Sequence, residues 1–326
     1  MNLYPWLKKA YKNIIYQHMI KQAHHAILIS TKPGIGASQL IWFISRWLLC
    51  LDPEKENICF KCHGCKLMSG KNHPDWHNVI SSNNGVFHVD DIRKINHKVF
   101  MCSQQGGAKI IFLSNIKKLT ESAVNAFLKT LEEPPENTWF FLIDYHHANN
   151  LYSTLNSRCL IYKLFSPKEK YSLEWLKNKT KKNNIINLTA LRLHDGSPIF
   201  AKKFISTKLY TERINFYQDL QHAFKEKNLL GILPKFLNNH CIQKIFWICS
   251  LLLDAMKIKI SENTFLTNLD HVKLINFFSE NYTSLCLYKS IQNWLLCRYR
   301  LLNIPGINYE LLLTEQLLLW EQNSNF

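Results

Sequence analysis

The most constraining part of the sequence is 125–159, NAFLKTLEEPPENTWFFLIDYHHANNLYSTLNSRC. Its first third has apolar residues at helical spacing and ends in two carboxylates, Glu132 and Glu133. Pro134 and Pro135 then stop the helix, because proline lacks the N–H that the next turn needs and its ring collides with that turn. The short apolar run 139–143 has the length of a buried strand, and a polar loop leads from it to Ser157-Arg158-Cys159.

The whole chain of 326 residues suffices for two or three domains with ample core. An apolar content of 47% with 13% aromatics belongs to a folded chain, not a disordered one. No N-terminal segment combines a charged start, an apolar centre and a small-residue cleavage site, which speaks against secretion. The longest apolar stretch, 245–253, ends at Asp254 and is far short of the ~20 residues that span a bilayer. The expectation is a soluble cytoplasmic protein whose ten cysteines are thiols or metal ligands, not disulfides. A formal charge of +16 suggests a polyanionic neighbour, although AT-biased codon usage also supplies lysines.

Residues 1–22 read as a short opening segment and a helix, followed by the strand 24–29. STKPGIGAS, 30–38, is a glycine-bearing turn between that strand and the helix 39–49, the setting of a phosphate-binding loop. A working loop reads G-x-x-x-x-G-K-[ST]. Here Gly34, Gly36 and Ser38 remain, but Ala37 replaces the lysine and Thr31 the first glycine. Either the turn is kept for packing or it binds nucleotide weakly. A competent site also needs an apolar strand ending in carboxylates for magnesium and water. The strand KIIFL, 109–113, ends instead in Ser114 and Asn115, followed by two lysines.

Cys50, Cys59, Cys62 and Cys65 have the spacing C-x8-C-x2-C-x2-C, which suits a tetrahedral zinc ion. With no open ligand position, such a zinc would be structural. The alternatives are His63 in place of Cys50, or a site that has lost its metal. His73-Pro74-Asp75 reads as a structural turn before the strand 76–80 in preference to a catalytic pair. Asp90 is the expected N-cap of the next helix, and 104–107 is a turn. KNKTKK, 177–182, reads as a solvated turn in preference to a DNA contact. From 207 onward the pattern is helical: 210–224, 229–237, 242–258, 271–280, 283–302 and 309–321. The last has so many leucines that it is expected to be largely buried, within the chain or between subunits.

The order helix–EEPP–strand–loop–SRC, the four cysteines after the first helix of the loop unit and VDDIR at 89–93 resemble the clamp-loader branch of the AAA+ ATPases. The C-terminal GINYELLL, 306–313, carries the resemblance to the chain's end. It implies an α/β, RecA-like parallel-sheet domain over 1–165 with a zinc module at about 50–66. A helical lid over 166–206 and an all-α collar over 207–326 would follow. It also places a sensor residue at Asp144 and replaces a lid arginine by Ile199 within GSPIFA, so three nucleotide-handling features depart from the ATPase pattern.

The function implied is that of a non-hydrolysing subunit of a DNA polymerase III clamp loader that binds no ATP of its own. Arg158 would be a finger completing the ATP site of a neighbouring gamma/tau subunit; the alternative is a surface or strand-capping arginine. The implied partners are gamma/tau and delta subunits and, through the complex, the sliding clamp and primed DNA, with no membrane. Rival readings are an active gamma/tau-type ATPase, against which Ala37, Ser114 and Asn115 speak, and a zinc-containing nucleic-acid-binding module. For the latter no basic-aromatic platform is evident.

Overall fold

The computed structural model describes residues 3–79, 85–145, 153–237, 240–260 and 265–323. The chain separates into two compact units, Met1–Pro167 and Lys168–Phe326.

The first unit is built on five parallel strands: β1 (Ala26–Thr31), β2 (Trp76–Val79), β3 (Lys109–Leu113), β4 (Thr138–Asp144) and β5 (Leu160–Leu164). Their order across the sheet is β2-β3-β4-β1-β5. Ile80, the last residue of the expected second strand, lies outside the described residues, as does the loop 146–152.

Helices cover both faces of the sheet, so the central strands read as continuous apolar runs. Successive side chains point to opposite faces. Ala26, Leu28, Phe140 and Leu142 therefore enter one core with α4 (Val89–Phe100) and α5 (Glu121–Glu132). Ile27, Ile29, Phe141 and Ile143 enter the other with α1 (Lys8–Met19) and α2 (Ala37–Leu48). The short helices α3 (His63–Ser69) and α6 (Ser153–Asn156) complete the unit.

Local chemistry sets the boundaries. Thr120 caps α5 by accepting the Ala123 N–H. Phe127, from this helix, meets Phe140 edge to face at 5.7 Å. Asp90 is not the cap of α4: the cap lies two residues earlier, at His88, whose N–H is donated to Asp91 Oδ2. Asp90 instead pairs with Arg93 on the surface. Lys109, buried at the start of β3, donates to the carbonyls of Val99 and Met101 and so closes the C-terminal end of α4.

His73 and Asp75 are buried and structural, as the sequence reading has it. Asp75 accepts the N–H groups of Gln104 and Gln105 at 2.8 and 3.0 Å, fixing the turn before β3.

The second unit is helical. α7 (Glu169–Thr180), α8 (Asn184–Leu193) and α9 (Pro198–Ser206) precede α10 (Leu209–Glu226) and α11 (Leu233–Leu237). α12 (Cys241–Ile260), α13 (Val272–Asn281), α14 (Ser284–Asn303) and α15 (Tyr309–Asn323) follow. The unit's core includes Trp247, Trp294 and Trp320.

A buried polar group fastens the segment before α13. Arg213 donates to Asp270 Oδ2 at 2.6 Å and to Asn268 Oδ1 at 2.7 Å, while Asp254 accepts the N–H groups of Thr267 and Asn268. With its charge paired with Asp270 through Nη1 and Nη2, the buried guanidinium avoids the penalty of an uncompensated charge, although its Nε is buried without a partner among the described residues.

This chain covers only part of the last helix. Leu312, Leu313, Leu317 and Trp320 are buried, but Leu311, Leu318 and Leu319 are exposed, Leu311 by 68%. Its apolar residues occupy two faces, and this chain covers one of them. Among the described residues no helix is long and apolar enough to cross a membrane.

Candidate functional sites at the two ends of the sheet

At the C-terminal end of the sheet, the turn after β1 keeps the backbone of a phosphate loop. Gly34 and Gly36 have φ of 77° and 101°, the left-handed region where a Cβ is strained. Gly36 is the N-cap residue of α2. The turn is fastened from within: Trp6 Nε1 donates to the Ile35 carbonyl at 2.8 Å, and Thr31 Oγ1 donates to the Leu164 carbonyl at 2.8 Å.

Ala37 is the first residue of α2 and its methyl is buried, with 3% exposure. No ammonium occupies the position from which a lysine reaches the outer phosphates. Ser38 is exposed beside it. Beyond β3, Asn115 accepts the Lys117 N–H with its own side chain at 3.0 Å, capping a short 3₁₀ turn, and Ser114 is half-buried. Asp144 ends β4 in register with Ser30 of β1. Ser114 and Asn115 offer no carboxylate for magnesium. Ile199, at the expected lid-arginine position, is half-buried in the first turn of α9.

Arg158 lies at the other end. It is two residues before β5, and Leu160 pairs with Ile27 near the start of β1. Because all strands are parallel, Arg158 and this chain's own loop are separated by the length of β1, roughly 20 Å at ~3.3 Å per residue. The side chain is about one-third exposed. Nε donates to Glu132 Oε1 at 2.7 Å, and Nη1 donates to the Thr154 carbonyl at 3.1 Å. Glu132, in the last turn of α5, is thus Arg158's partner, a pairing the sequence reading did not make. Cys159 is buried, and burial pushes its thiol up to about 12, which keeps it neutral and unreactive.

The cysteine cluster forms just beyond the end of α2. Cys50, Cys59, Cys62 and Cys65 bring their sulfurs within 4.8 Å of one another, and His63 is not in the group. The Cys50–Cys59 and Cys50–Cys65 separations are 3.5 Å; Cys50–Cys62 and Cys59–Cys65 are 3.9 Å. A tetrahedron with Zn–S bonds of about 2.3 Å has edges of about 3.8 Å. The four thiols therefore fit one metal ion and are compatible with zinc.

Backbone N–H groups of Cys59, Cys62 and Cys65 point at the sulfurs of Cys50, Cys59 and Cys62. Burial opposes ionisation of Cys62, but hydrogen bonds from Leu51, Cys65 and the neighbouring thiols outweigh it and bring this group down to about 6. Burial raises the Cys50 and Cys65 thiols. Gly64 is a further requirement: a Cβ there would lie 2.3 Å from the Leu49 carbonyl oxygen. Only glycine lets α3 approach the end of α2 closely enough to bring Cys65 to Cys50.

A parallel α/β sheet with a nucleotide-loop turn after β1, a helical lid and a helical C-terminal unit defines the AAA+ class. Sequence-family models match in series: "DNA polymerase III, delta subunit" over 6–168, "DNA polymerase III subunit delta', AAA+ ATPase lid domain" over 167–205, and "DNA polymerase III, delta subunit, C terminal" over 207–322.

DNA polymerase III subunit delta' of Buchnera aphidicola subsp. Acyrthosiphon pisum is 60% identical over the whole of both chains. That of Escherichia coli K12 is 32% identical over 98% of this chain and 95% of its own. A DNA polymerase III gamma subunit-related protein from Thermotoga maritima shares the fold, with a TM-score of 0.51 at 18% identity over 97% of this chain and 99% of its own. The chain belongs to the DNA polymerase III subunit delta' family, within the clamp-loader AAA+ proteins.

Proposed function

We propose that this chain is a non-hydrolysing ring member of a DNA polymerase III clamp loader, acting beside gamma/tau and delta subunits to place the sliding clamp on primed DNA. In this reading Arg158 supplies its guanidinium to the ATP site of a neighbouring gamma/tau subunit. The observation that carries it is the separation of the two ends of the sheet. The nucleotide end has Ala37 buried where an ammonium is required, while an intact, partly exposed arginine stands on the opposite end, out of reach of that loop.

A guanidinium's rigid, permanently charged fork matches phosphate oxygens in geometry and charge. It stabilises charge that develops on the transferring phosphoryl group, an effect on the order of 10³–10⁵ in rate where a finger acts in trans. Loss of the ammonium at Ala37 and of carboxylates at Ser114 and Asn115 removes what holds nucleotide and magnesium on this chain.

Zinc on Cys50, Cys59, Cys62 and Cys65 would cross-link the end of α2 to α3 and supply folding energy, with no part in chemistry. We divide the chain into an AAA+ core over 1–165, a lid over 166–206 and a collar over 207–326. The exposed leucines of α15 suit the collar's role in assembly.

The test is ATP turnover by the reconstituted loader with clamp and primed DNA, comparing wild type with Arg158→Ala at equal assembly. Loss of most of the turnover is expected; unchanged turnover sinks the finger and leaves an architectural subunit.

A further inference from the structure

Arg158 does not point outward unengaged. Its Nε donates to Glu132 Oε1 at 2.7 Å and its Nη2 donates to the same oxygen. Nη1 donates to the Thr154 carbonyl at 3.1 Å and to Ser157 Oγ at 3.2 Å. The edge formed by Nε and Nη2 is one with which a guanidinium grips an oxyanion. Here that edge lies on a carboxylate of its own chain, so it cannot simultaneously grip phosphate oxygens.

Two features make this engagement temporary in character. The side chains of Arg158 and Glu132 are 34% and 47% exposed. An ion pair this wet is weak, and an approaching polyanion competes with it. The backbone on both sides is nevertheless fixed. Glu132 is on the last turn of α5 just before Pro134 and Pro135, and Arg158 leads directly into β5. Weak side-chain binding between two well-placed anchors suits a partner that is exchanged, not a structural lock.

We propose that Glu132 is a positioning residue that parks Arg158 on its own chain and yields it to the phosphates of a nucleotide on the adjoining subunit when that interface closes. This rests on the reading of Arg158 as a finger acting in trans. No covalent bond changes and no proton moves. The guanidinium stays charged throughout and exchanges one anionic partner for another, while the contacts of Nη1 with Thr154 and Ser157 keep its base in place. Without an apposed nucleotide the finger stays withdrawn, so unstimulated hydrolysis is held down.

The experiment measures ATP turnover of the reconstituted loader with and without clamp and primed DNA, for wild type, Glu132→Gln and Glu132→Asp. Gln keeps the size and an acceptor oxygen but removes the charge; Asp keeps the charge. The expected result for Glu132→Gln is an unstimulated rate raised about three-fold, the scale of a half-exposed ion pair. KM for ATP should fall while stimulated kcat is retained, and Glu132→Asp should lie between Gln and wild type.

A carboxylate that merely supports the fold gives the opposite pattern, with both rates lowered together. An unchanged or lowered unstimulated rate in intact assemblies overturns the proposal. Arg158→Ala separates the two readings. If it leaves turnover unchanged, the finger itself falls and parking falls with it. If it abolishes turnover while Glu132→Gln does not raise the unstimulated rate, the finger stands and parking alone falls.

Discussion

The two ends of the five-stranded sheet differ in what they have kept. The C-terminal end has the backbone of a nucleotide site, with glycines at φ of 77° and 101°, but Ala37, Ser114 and Asn115 stand where its charged groups belong. At the other end Arg158 and Glu132 bring opposite charges together at a partly exposed surface. A loop's shape can persist because Trp6 and Leu164 give it packing and hydrogen bonds independent of any ligand. A charged side chain on a wet surface gains little stability from being there. The contrast teaches that preserved geometry and available chemistry are separate properties and need separate tests.

The largest effect should come from breaking the cysteine cluster at the end of α2. α2 starts at the nucleotide-loop turn and ends beside the cysteine cluster, so Cys65→Ser or a strong chelator should lower the stability of the first unit on the order of 5 kcal/mol. Thermal melts with and without chelator check this; a zinc-independent melting temperature would break the metal assignment. Arg158→Lys should be nearly as damaging to loader turnover as Arg158→Ala, on the order of 10²-fold or more, because a point charge cannot reproduce the planar fork. Recovery of most of the turnover by lysine would reduce the arginine end to simple charge.

His18, packed edge-on to Trp139 at 4.4 Å, is brought down by burial from 6.5 to about 4. The unfolded chain therefore takes up this proton first. The stabilisation is complete above pH 6.5 and is lost as pH falls toward 4, amounting to about 3 kcal/mol. His18→Phe should flatten that part of the stability–pH curve, measured by denaturant unfolding. The smallest effect is Gly36→Ala, which forces a Cβ into the left-handed region and should cost about 1–2 kcal/mol. Loader turnover should change little, as expected of a turn kept for packing; a severe loss of turnover would restore a ligand role to that end.

Much of this was legible in the sequence because it rests on local chemistry. The proline stop after α5, the strand 109–113, the loop turn and the missing lysine follow from residue type and spacing alone, as do the C-terminal helices to within a few residues. The cap of α4 was misplaced by two residues because Asp90 and Asp91 both suit a helix start, and only the path of the chain from Phe87, bonded to Lys118 and Thr120, places His88 as the N-cap.

By itself the sequence determined the residue types: four thiols at metal-binding intervals, no ammonium at 37, no carboxylate at 114 or 115, and an arginine at 158. Tertiary structure decided which of them meet. Glu132 and Arg158 are 26 positions apart and come together because α5 and β5 are both anchored to the sheet. Cys50 joins the other three sulfurs because Gly64 permits α3 to touch the Leu49 carbonyl. The leucines of α15 divide into covered and exposed faces only when the helices around it are in place. Periodicity encodes which side of an element is apolar, whereas long-range packing chooses what that side, or a lone charge, will touch.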